Sequence, residues 1–313
     1  MFMAIRKPAL MSGGEFACYR IFYTPTLVRS VGGTLAPVLR RAWMVLMFAV
    51  GAPWLLAWWG VARYVGMLRY FVLQNSTFEL DYPHILNVVR PNGVLHVGAN
   101  VGQEAQDYAS AGVRRVVWIE AQPSLEESLR AAVTKADAIY TSAVRPGQPG
   151  RYSQLANAGP QVLMAAVSDE SKRVRMTCTD NSISSSLLPL GWGHKTFFPF
   201  IRPMTSGEHL DVVTITMKDL LHKEQVDTRA LDMMYLDTQG SELSILRGCG
   251  DELLSQMRAI VTEVSTVEQY KGGCMMHDLD EFLSTHGLER TLTQVPSPVG
   301  HGNALYERVR VVH

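Results

Sequence analysis

Two kinds of hydrophobic pattern divide this chain of 313 residues. The first is one long uncharged run at 42–62. The second begins near residue 81, where short apolar runs alternate with segments of helical periodicity. The runs at 94–97 and 116–119 predict buried strands, and 106–111 predicts the helix between them. This alternation predicts an α/β fold built on a mostly parallel sheet.

Later segments continue the same alternation. We predict further helices at 81–89, 123–135 and 275–286, an inner strand at 161–169, β structure at 174–179 and 210–215, and terminal strands at 291–293 and 304–312. Between these β segments lies a long insert, including 181–186 and 191–195, that follows neither periodicity.

The uncharged run is 21 residues long and contains four tryptophans. As a helix it spans ~30 Å, about one hydrocarbon core. A buried core helix or an amphipathic helix in the membrane plane are the alternatives, but apolar residues on all sides argue against the second. We therefore predict a single-pass transmembrane helix at 42–62, in contact with membrane lipid, and a juxtamembrane helix that completes a segment 42–78.

Charge is distributed unevenly although the whole chain is neutral. Residues 1–78 carry eight Lys or Arg and one acid, Glu15, which gives +7 and leaves −7 for the remainder. Because most of these cations lie in the basic segment 1–41, the positive-inside rule places the amino terminus in the cytosol and the α/β domain across the membrane. An endomembrane or organelle membrane is compatible with this orientation, and the sequence leaves the compartment open.

Several classes of site are disfavoured. The four cysteines form no C-x-x-C pair and the nine histidines no H-x-x-x-H pair, so we expect neither a metal site nor a disulfide framework. The basic residues form no stripe with interleaved aromatics, so we expect no nucleic-acid partner.

A glycine turn follows the 94–97 strand, in the sequence V-L-H-V-G-A-N-V-G. Gly98 and Gly102 permit a sharp turn close to a ligand, and Glu120 ends the next strand, where a carboxylate can accept from both ribose hydroxyls. The G-x-N-x-G turn lacks the third glycine of dinucleotide binders, which favours a nucleoside without a pyrophosphate. The alternative is an ordinary strand–turn–helix unit with a chance acid.

A second strand–turn–helix unit contains Asp237, Gln239, Gly240 and Glu242, and the strand after it carries Glu263. Together these motifs resemble the FkbM-like family of S-adenosylmethionine-dependent methyltransferases. The family pattern is V-G-A-N-x-G, then E-x-x-P, then I-D-x-Q-G-x-E-x-x-x-L-x-G, then a strand with Glu. This chain matches it at 97–102, 120–123, 236–248 and 263, with Leu for the Ile, so the resemblance covers roughly 80 to 310.

The resemblance implies a Rossmann-like, seven-stranded methyltransferase sheet in a domain at 79–313, with S-adenosylmethionine as cofactor. The expected cofactor residues are His96, Gly98, Asn100, Gly102, Glu120 and Asp169. The expected catalytic residues are Asp237, Glu263 and Glu242. Asp237 or Glu263 would take a proton from a hydroxyl, whereas Glu242 either orients the substrate or caps its helix. His194 in the insert is either a general base or an exposed loop residue.

His96 departs from the family pattern, which usually has Asp two residues before the first glycine. That acid helps to position the methionine end of the cofactor, so we expect weakened cofactor binding that His96→Asp would restore. Two functions follow. One is a membrane-anchored O-methyltransferase acting on a hydroxyl of a glycan, lipid-linked sugar or small metabolite. The other is a non-catalytic methyltransferase-like subunit of a membrane protein complex.

Overall fold

The computed structural model describes residues 80–113, 115–143, 160–179, 182–197, 209–295 and 299–309. Its centre is a seven-stranded sheet in the order β3-β2-β1-β7-β8-β10-β9. The strands are β1 Gly93–Val97, β2 Arg115–Glu120, β3 Gln161–Met164, β7 Met233–Leu236, β8 Ala259–Ser265, β9 Leu288–Gln294 and β10 His301–Arg308. Neighbours from β3 to β8 are parallel, and β10 is antiparallel to both β8 and β9. The predicted Rossmann-like sheet of seven strands is confirmed.

Helices cover both faces of this sheet. They are α1 Tyr82–Val89, α2 Ala105–Ser110, α3 Glu126–Ala143, α4 Trp192–Phe197, α5 Met217–Lys223, α6 Glu242–Arg247, α7 Asp251–Gln256 and α8 Met276–Thr285, with a short 3₁₀ turn at Pro123–Leu125. The first three pack on one face around Val94 and Trp118. Helices α5 to α8 pack on the other face around Leu95 and Val97. Alternate residues of β1 therefore enter separate cores, as the twofold period of a strand requires.

The predicted inner strand at 161–169 is wrong in its position. Strand β3 lies at the edge of the large sheet, where it pairs only with β2. The chain then leaves that sheet at Ala165, and Ala166–Ser168 forms β4 of a second sheet. An apolar run predicts burial but not which partner strand provides it.

The second sheet has the order β4-β6-β5, with β5 at Arg173–Thr177 and β6 at His209–Thr216. Strand β6 is parallel to β4 and antiparallel to β5. Thr177 and Ser186 also pair through backbone hydrogen bonds of 2.8 and 3.0 Å, which attaches the start of the insert to β5. Residues 182–187 are thereby carried back toward the large sheet.

The basic segment 1–41 and the predicted membrane segment 42–78 lie outside the described residues. Within the described part of the chain, no helix is both long and apolar enough to cross a bilayer.

Candidate active site

An open cavity lies at the carboxyl ends of β1, β2 and β7. Parallel strands deliver their carboxyl ends to one edge of the sheet, where ligands bind in open α/β folds. The lining comes from these strand ends, the turn after β1, strand β4 and the insert. It includes Gly98, Asn100, Glu104, Ile119, Glu120, Ala166, Met176, Ser182, Ser186, Asp237 and Gln239.

The glycine turn after β1 is tied to both neighbouring strands. The backbone N–H groups of Gly98 and Ala99 donate to the Ile119 carbonyl, each at 3.0 Å. Gly98 has φ +82°, and a Cβ there would overlap the Asp237 carbonyl oxygen. Gly102 has φ +74° but packs on α3 instead, because an added Cβ would lie 3.0 Å from Leu129 Cδ1. The first predicted glycine therefore borders the cavity, and the second seats the turn on a helix.

Glu120 is buried at the end of β2, and its carboxylate holds the turn in place. Its Oε2 accepts from the Asn100 backbone N–H and its Oε1 from that of Gln122, both at 2.8 Å. Burial raises the pKa of Glu120, and these backbone hydrogen bonds act in the opposite direction. The predicted ribose acceptor thus lines the cavity, with its carboxylate oriented by hydrogen bonds within the protein.

Asn100 joins the turn to the insert. It has φ +47°, and its side-chain amide donates to Ser182 Oγ at 3.4 Å. Gln122 also donates its side-chain amide, to the Ser182 carbonyl at 3.3 Å. The insert, which the sequence left unassigned, therefore forms one wall of the cavity. Because these contacts join residues 60 to 82 positions apart, periodicity provides no signal for them.

Two carboxylates meet at the other end of the cavity around one amide. Gln239 Nε2 donates to Asp237 Oδ1 at 2.6 Å and to Glu263 Oε2 at 2.7 Å. Its Oε1 accepts from the Tyr270 hydroxyl, which fixes the amide with its donors toward the acids. Burial, followed by the charge of Glu263, raises the pKa of Asp237. Burial, followed by the charge of Glu242, raises the pKa of Glu263 to about 8.

His301 adds a residue that the sequence analysis missed. Its Nε2 lies 3.2 Å from Glu263 Oε1, and its Nδ1 lies 3.2 Å from Ser265 Oγ. Burial lowers the pKa of His301, so its neutral ring can donate to Glu263 while accepting from Ser265. His301 is opposite Ser265 in the β8–β10 pairing. No motif in the sequence predicts this register.

Glu242 is almost fully buried and faces its own turn. Its Oε1 accepts from the backbone N–H groups of Thr238 and Gly240, each at 3.1 Å, and its Oε2 accepts from Cys274 Sγ at 3.3 Å. These contacts hold the turn that precedes α6, and the acid lies in the first turn of that helix, where its charge suits the helix dipole. Its side chain is not part of the cavity lining.

His96 lies outside the cavity. Its ring is 1% exposed and stacks between Trp118 and Tyr235, with ring centroids 4.8 and 4.5 Å away. Its Nδ1 is 2.9 Å from the Tyr108 hydroxyl. Burial lowers the pKa of His96 to about 3, so the ring is neutral. The structure does not bring this predicted cofactor residue into the lining.

Asp169 and His194 also take positions that the sequence did not predict. Asp169 follows β4 on the surface, where it contacts Ser168 Oγ at 3.0 Å and Lys172 at 3.9 Å, and it does not line the cavity. His194 is 3% exposed on α4 and packs against Tyr270, so the exposed alternative is wrong. Burial lowers the pKa of His194 to about 4.

The cavity suits a nucleoside with a polar extension. Ile119, Ala166 and Met176 offer apolar surface beside Glu120, and the Gly98 turn leads from there to Asp237. This donor and acceptor set fits the adenosine and amino-acid parts of S-adenosylmethionine.

Comparisons with known proteins agree with this geometry. Residues 96–289 match the family described as Methyltransferase FkbM domain. No curated protein matches the chain significantly.

Solved structures were also compared. The FkbM methyltransferase from Methylobacillus flagellatus KT is 14% identical, with a TM-score of 0.43, and the match covers 92% of this chain and 58% of that one. The present chain thus spans little more than half of that protein. An O-methyltransferase from Bacillus cereus in complex with SAH is 12% identical, with a TM-score of 0.39 and coverage of 73% and 78%. The magnesium protoporphyrin IX methyltransferase of Synechocystis PCC 6803, with bound SAH, is 10% identical, with a TM-score of 0.36 and coverage of 73% and 80%.

The family match covers more than half of the chain, including the glycine turn, Glu120 and the Asp237–Glu263 pair. The chain therefore belongs to the FkbM methyltransferase domain family, with S-adenosylmethionine as its cofactor.

Proposed function

We propose that this protein is a membrane-anchored O-methyltransferase acting on a hydroxyl of a glycan, lipid-linked sugar or small metabolite. The observation that carries the proposal is the Asp237 carboxylate, which lines the cavity and is held beside Glu263 by Gln239. Methyl transfer to a hydroxyl requires removal of one proton, and this pair provides a proton acceptor.

Different residues of the cavity wall would hold different parts of the cofactor. When bound, the cofactor supplies an electrophilic methyl group. Glu120 would accept hydrogen bonds from the ribose hydroxyls, while Ile119 and Met176 would cover the adenine. The turn at Gly98 would adjoin the amino-acid part. Orientation of this kind lowers the barrier because the reacting groups are held in line before reaction.

Asp237 acts as the base in this proposal. A carboxylate with a raised pKa is a stronger base than an exposed one, so burial beside Glu263 suits it to accept the hydroxyl proton. Gln239 fixes the carboxylate, and the neutral His301 ring holds Glu263 from its other side. Glu263 is the second site for the same proton. The rate should therefore rise as pH increases through the raised pKa values of the pair.

We propose that the acceptor approaches from the side of α4. The backbone N–H groups of Gly191 and Gly193 donate to Gln269 and Glu268 at 2.7 and 2.9 Å, which docks α4 on the loop after β8. Trp192 is 56% exposed there. An exposed indole is suited to stacking on a sugar ring. The run at 42–62 would keep the site close to membrane-bound acceptors.

The non-catalytic alternative rests on the missing aspartate at position 96. Two observations favour the enzyme over it. The first is that the cavity is open and is not filled by side chains. The second is that Asp237 and Glu263 are both buried with raised pKa values, which is costly for stability and typical of functional sites.

The test uses the full chain in detergent with methyl-labelled S-adenosylmethionine and fractions of lipid-linked sugars, free glycans and small hydroxyl metabolites. We expect label in an alkali-stable methyl ether. Asp237→Asn should abolish transfer while binding S-adenosylhomocysteine within about twofold of wild type. Asp211→Asn, which changes an exposed carboxylate on β6, is the matched control and should transfer normally. Label in a base-labile ester or on nitrogen, or full transfer by Asp237→Asn, would contradict the proposal.

A further inference from the structure

Position 96 leaves the methionine end of the cavity without the family's aspartate, yet an acid is present there. Glu104, the residue before α2, lines the cavity together with Gly98 and Gln103. Its side chain is 20% exposed. In the sequence Glu104 belongs to no motif, because it follows the glycine turn at a position that the family pattern leaves open.

His96, which lies outside the cavity, contacts Glu104. Its Nε2 lies 3.9 Å from Glu104 Oε2, an electrostatic contact that is longer than a hydrogen bond. The ring itself cannot turn freely, because Trp118 and Tyr235 stack on its two sides. The imidazole edge is thereby held toward Glu104.

A chain of hydroxyl groups contacts the other nitrogen of His96. The Tyr82 and Tyr108 hydroxyl oxygens are 2.5 Å apart, and the Tyr108 oxygen lies 2.9 Å from His96 Nδ1. When Tyr108 donates its hydrogen to Nδ1, the neutral ring carries its proton on Nε2, and this N–H directs its positive end toward Glu104.

The three acids of the cavity lining are engaged differently. Glu120 accepts from two backbone N–H groups at the ribose end, and Asp237 accepts from Gln239. Glu104 lines the same cavity as Gly98, whose turn we expect to adjoin the amino-acid part of the cofactor. That part carries a primary ammonium group, for which a carboxylate is a strong hydrogen-bond partner.

We propose that Glu104 binds the α-ammonium group of the cofactor, in the role that the family assigns to the aspartate at position 96, and that His96 is a positioning residue for Glu104. This inference rests on the proposed cofactor pocket and adds to it the residue that recognises the ammonium group. The recognised chemistry is a primary ammonium on a nucleoside thioether or sulfonium.

The experiment compares three probes by calorimetric titration of the full chain in detergent. S-adenosylmethionine carries both a sulfonium and an ammonium, S-adenosylhomocysteine carries only the ammonium, and 5′-methylthioadenosine carries neither. Glu104→Gln should weaken the first two by about 10- to 100-fold, the loss expected for one charged hydrogen bond, and change the third by less than about twofold. Glu104→Asp, which retains the charge, should recover part of that loss.

Asp107→Asn is the matched control for charge. It removes an acid from the first turn of α2, and Asp107 does not line the cavity, so all three affinities should remain. His96→Phe keeps an aromatic ring in the stack but removes Nε2. It should weaken S-adenosylmethionine and S-adenosylhomocysteine while leaving 5′-methylthioadenosine unchanged, a selectivity that a general loss of structure would not produce.

The possible failures are distinguishable. A loss confined to S-adenosylmethionine would place Glu104 at the sulfonium and overturn the assignment. An equal loss of all three probes, or no loss, would overturn it as well. No binding of any probe by the wild type would overturn the proposed function and this inference together.

Discussion

At the scale of single residues, the most consequential contact is the amide of Gln239 between two acids. The side-chain amide nitrogen of Gln239 donates hydrogen bonds to both Asp237 and Glu263. The Tyr270 hydroxyl donates to the amide oxygen, which prevents the amide from flipping. Without this donor the two carboxylates would face each other in a buried site, where like charges cannot both ionise readily.

The raised pKa of Glu263 predicts a specific dependence of stability on pH. Its pKa is about 8 in the folded chain and near 4.5 when unfolded. Its contribution is therefore fully present below about pH 4.5 and is lost as pH rises through about 8. Glu263→Gln removes this proton linkage, so the variant should lose less stability between pH 6 and 9, by up to about 1.4 kcal/mol per pH unit. Urea denaturation across this range measures the difference, and parallel loss in both proteins would contradict it.

Substitution of Gly98 should have a steric cost, which can be measured by comparison with the same substitution at a second glycine. Gly98→Ala must place a Cβ against the Asp237 carbonyl in addition to adopting φ +82°. Gly112 has φ +76° with no atom within 4 Å of an added Cβ, so Gly112→Ala carries the backbone cost alone, about 1 kcal/mol. We expect Gly98→Ala to cost about 2 kcal/mol more than its control in the free energy of unfolding. Equal costs would show that the turn adjusts.

At the scale of elements, the insert is the part that joins separate regions of the site. Ser186 is 1% exposed, donates to the Gln239 carbonyl at 2.7 Å and accepts from the Leu188 N–H at 2.9 Å. Ser182 receives the side chains of Asn100 and Gln122. One segment therefore contacts both the acid cluster and the glycine turn.

Ser186→Ala should consequently affect both stability and ligand binding. It leaves a buried carbonyl and a buried N–H without this hydroxyl, at a cost of about 1–3 kcal/mol. Because the insert lines the cavity, S-adenosylhomocysteine should also bind less tightly. Ser255→Ala removes an exposed hydroxyl that bonds within its own helix, and it should change neither quantity. Unfolding and titration measurements on both variants decide the point, and equal behaviour of the two would refute it.

The success of sequence analysis also varies with the element. The strands at 94–97 and 116–119 were predictable because their apolar runs are buried on both faces. The β structure at 174–179 and 210–215 was also predicted, but its pairing into a second sheet was not, because β5 and β6 are largely exposed and β6 pairs with both β4 and β5 across long separations. Motifs identified Asp237 and Glu120, but the roles of His301 and Glu104 depend on register and packing, which one sequence does not display.

At the scale of the whole molecule, the chain combines a family domain with a different kind of amino-terminal sequence. The described residues form a sheet with an apolar core on each face, and the family match begins at residue 96. The uncharged run at 42–62 precedes the described residues. Its function must be tested independently of the fold.

We predict that the full chain stays with membranes after carbonate and high-salt washing and is released by detergent. Replacing Val50 and Leu56 by Arg should release it, since each charge near the centre of a span costs about 2.5–3.5 kcal/mol of insertion. Replacing Val213 and Leu292 by Arg is the matched control, because both side chains are exposed on the described domain. Wild-type protein released by carbonate alone would refute the anchor.

The aromatic stack around His96 has an evolutionary consequence. His96→Asp, expected from the sequence to tighten cofactor binding, would instead bury a carboxylate between Trp118 and Tyr235 at a cost of several kcal/mol. That cost is a large part of the stability of a typical domain. Position 96 is therefore epistatic with its aromatic neighbours. An exchange of aspartate and histidine at this position would therefore require the surrounding rings to change first, or in the same step.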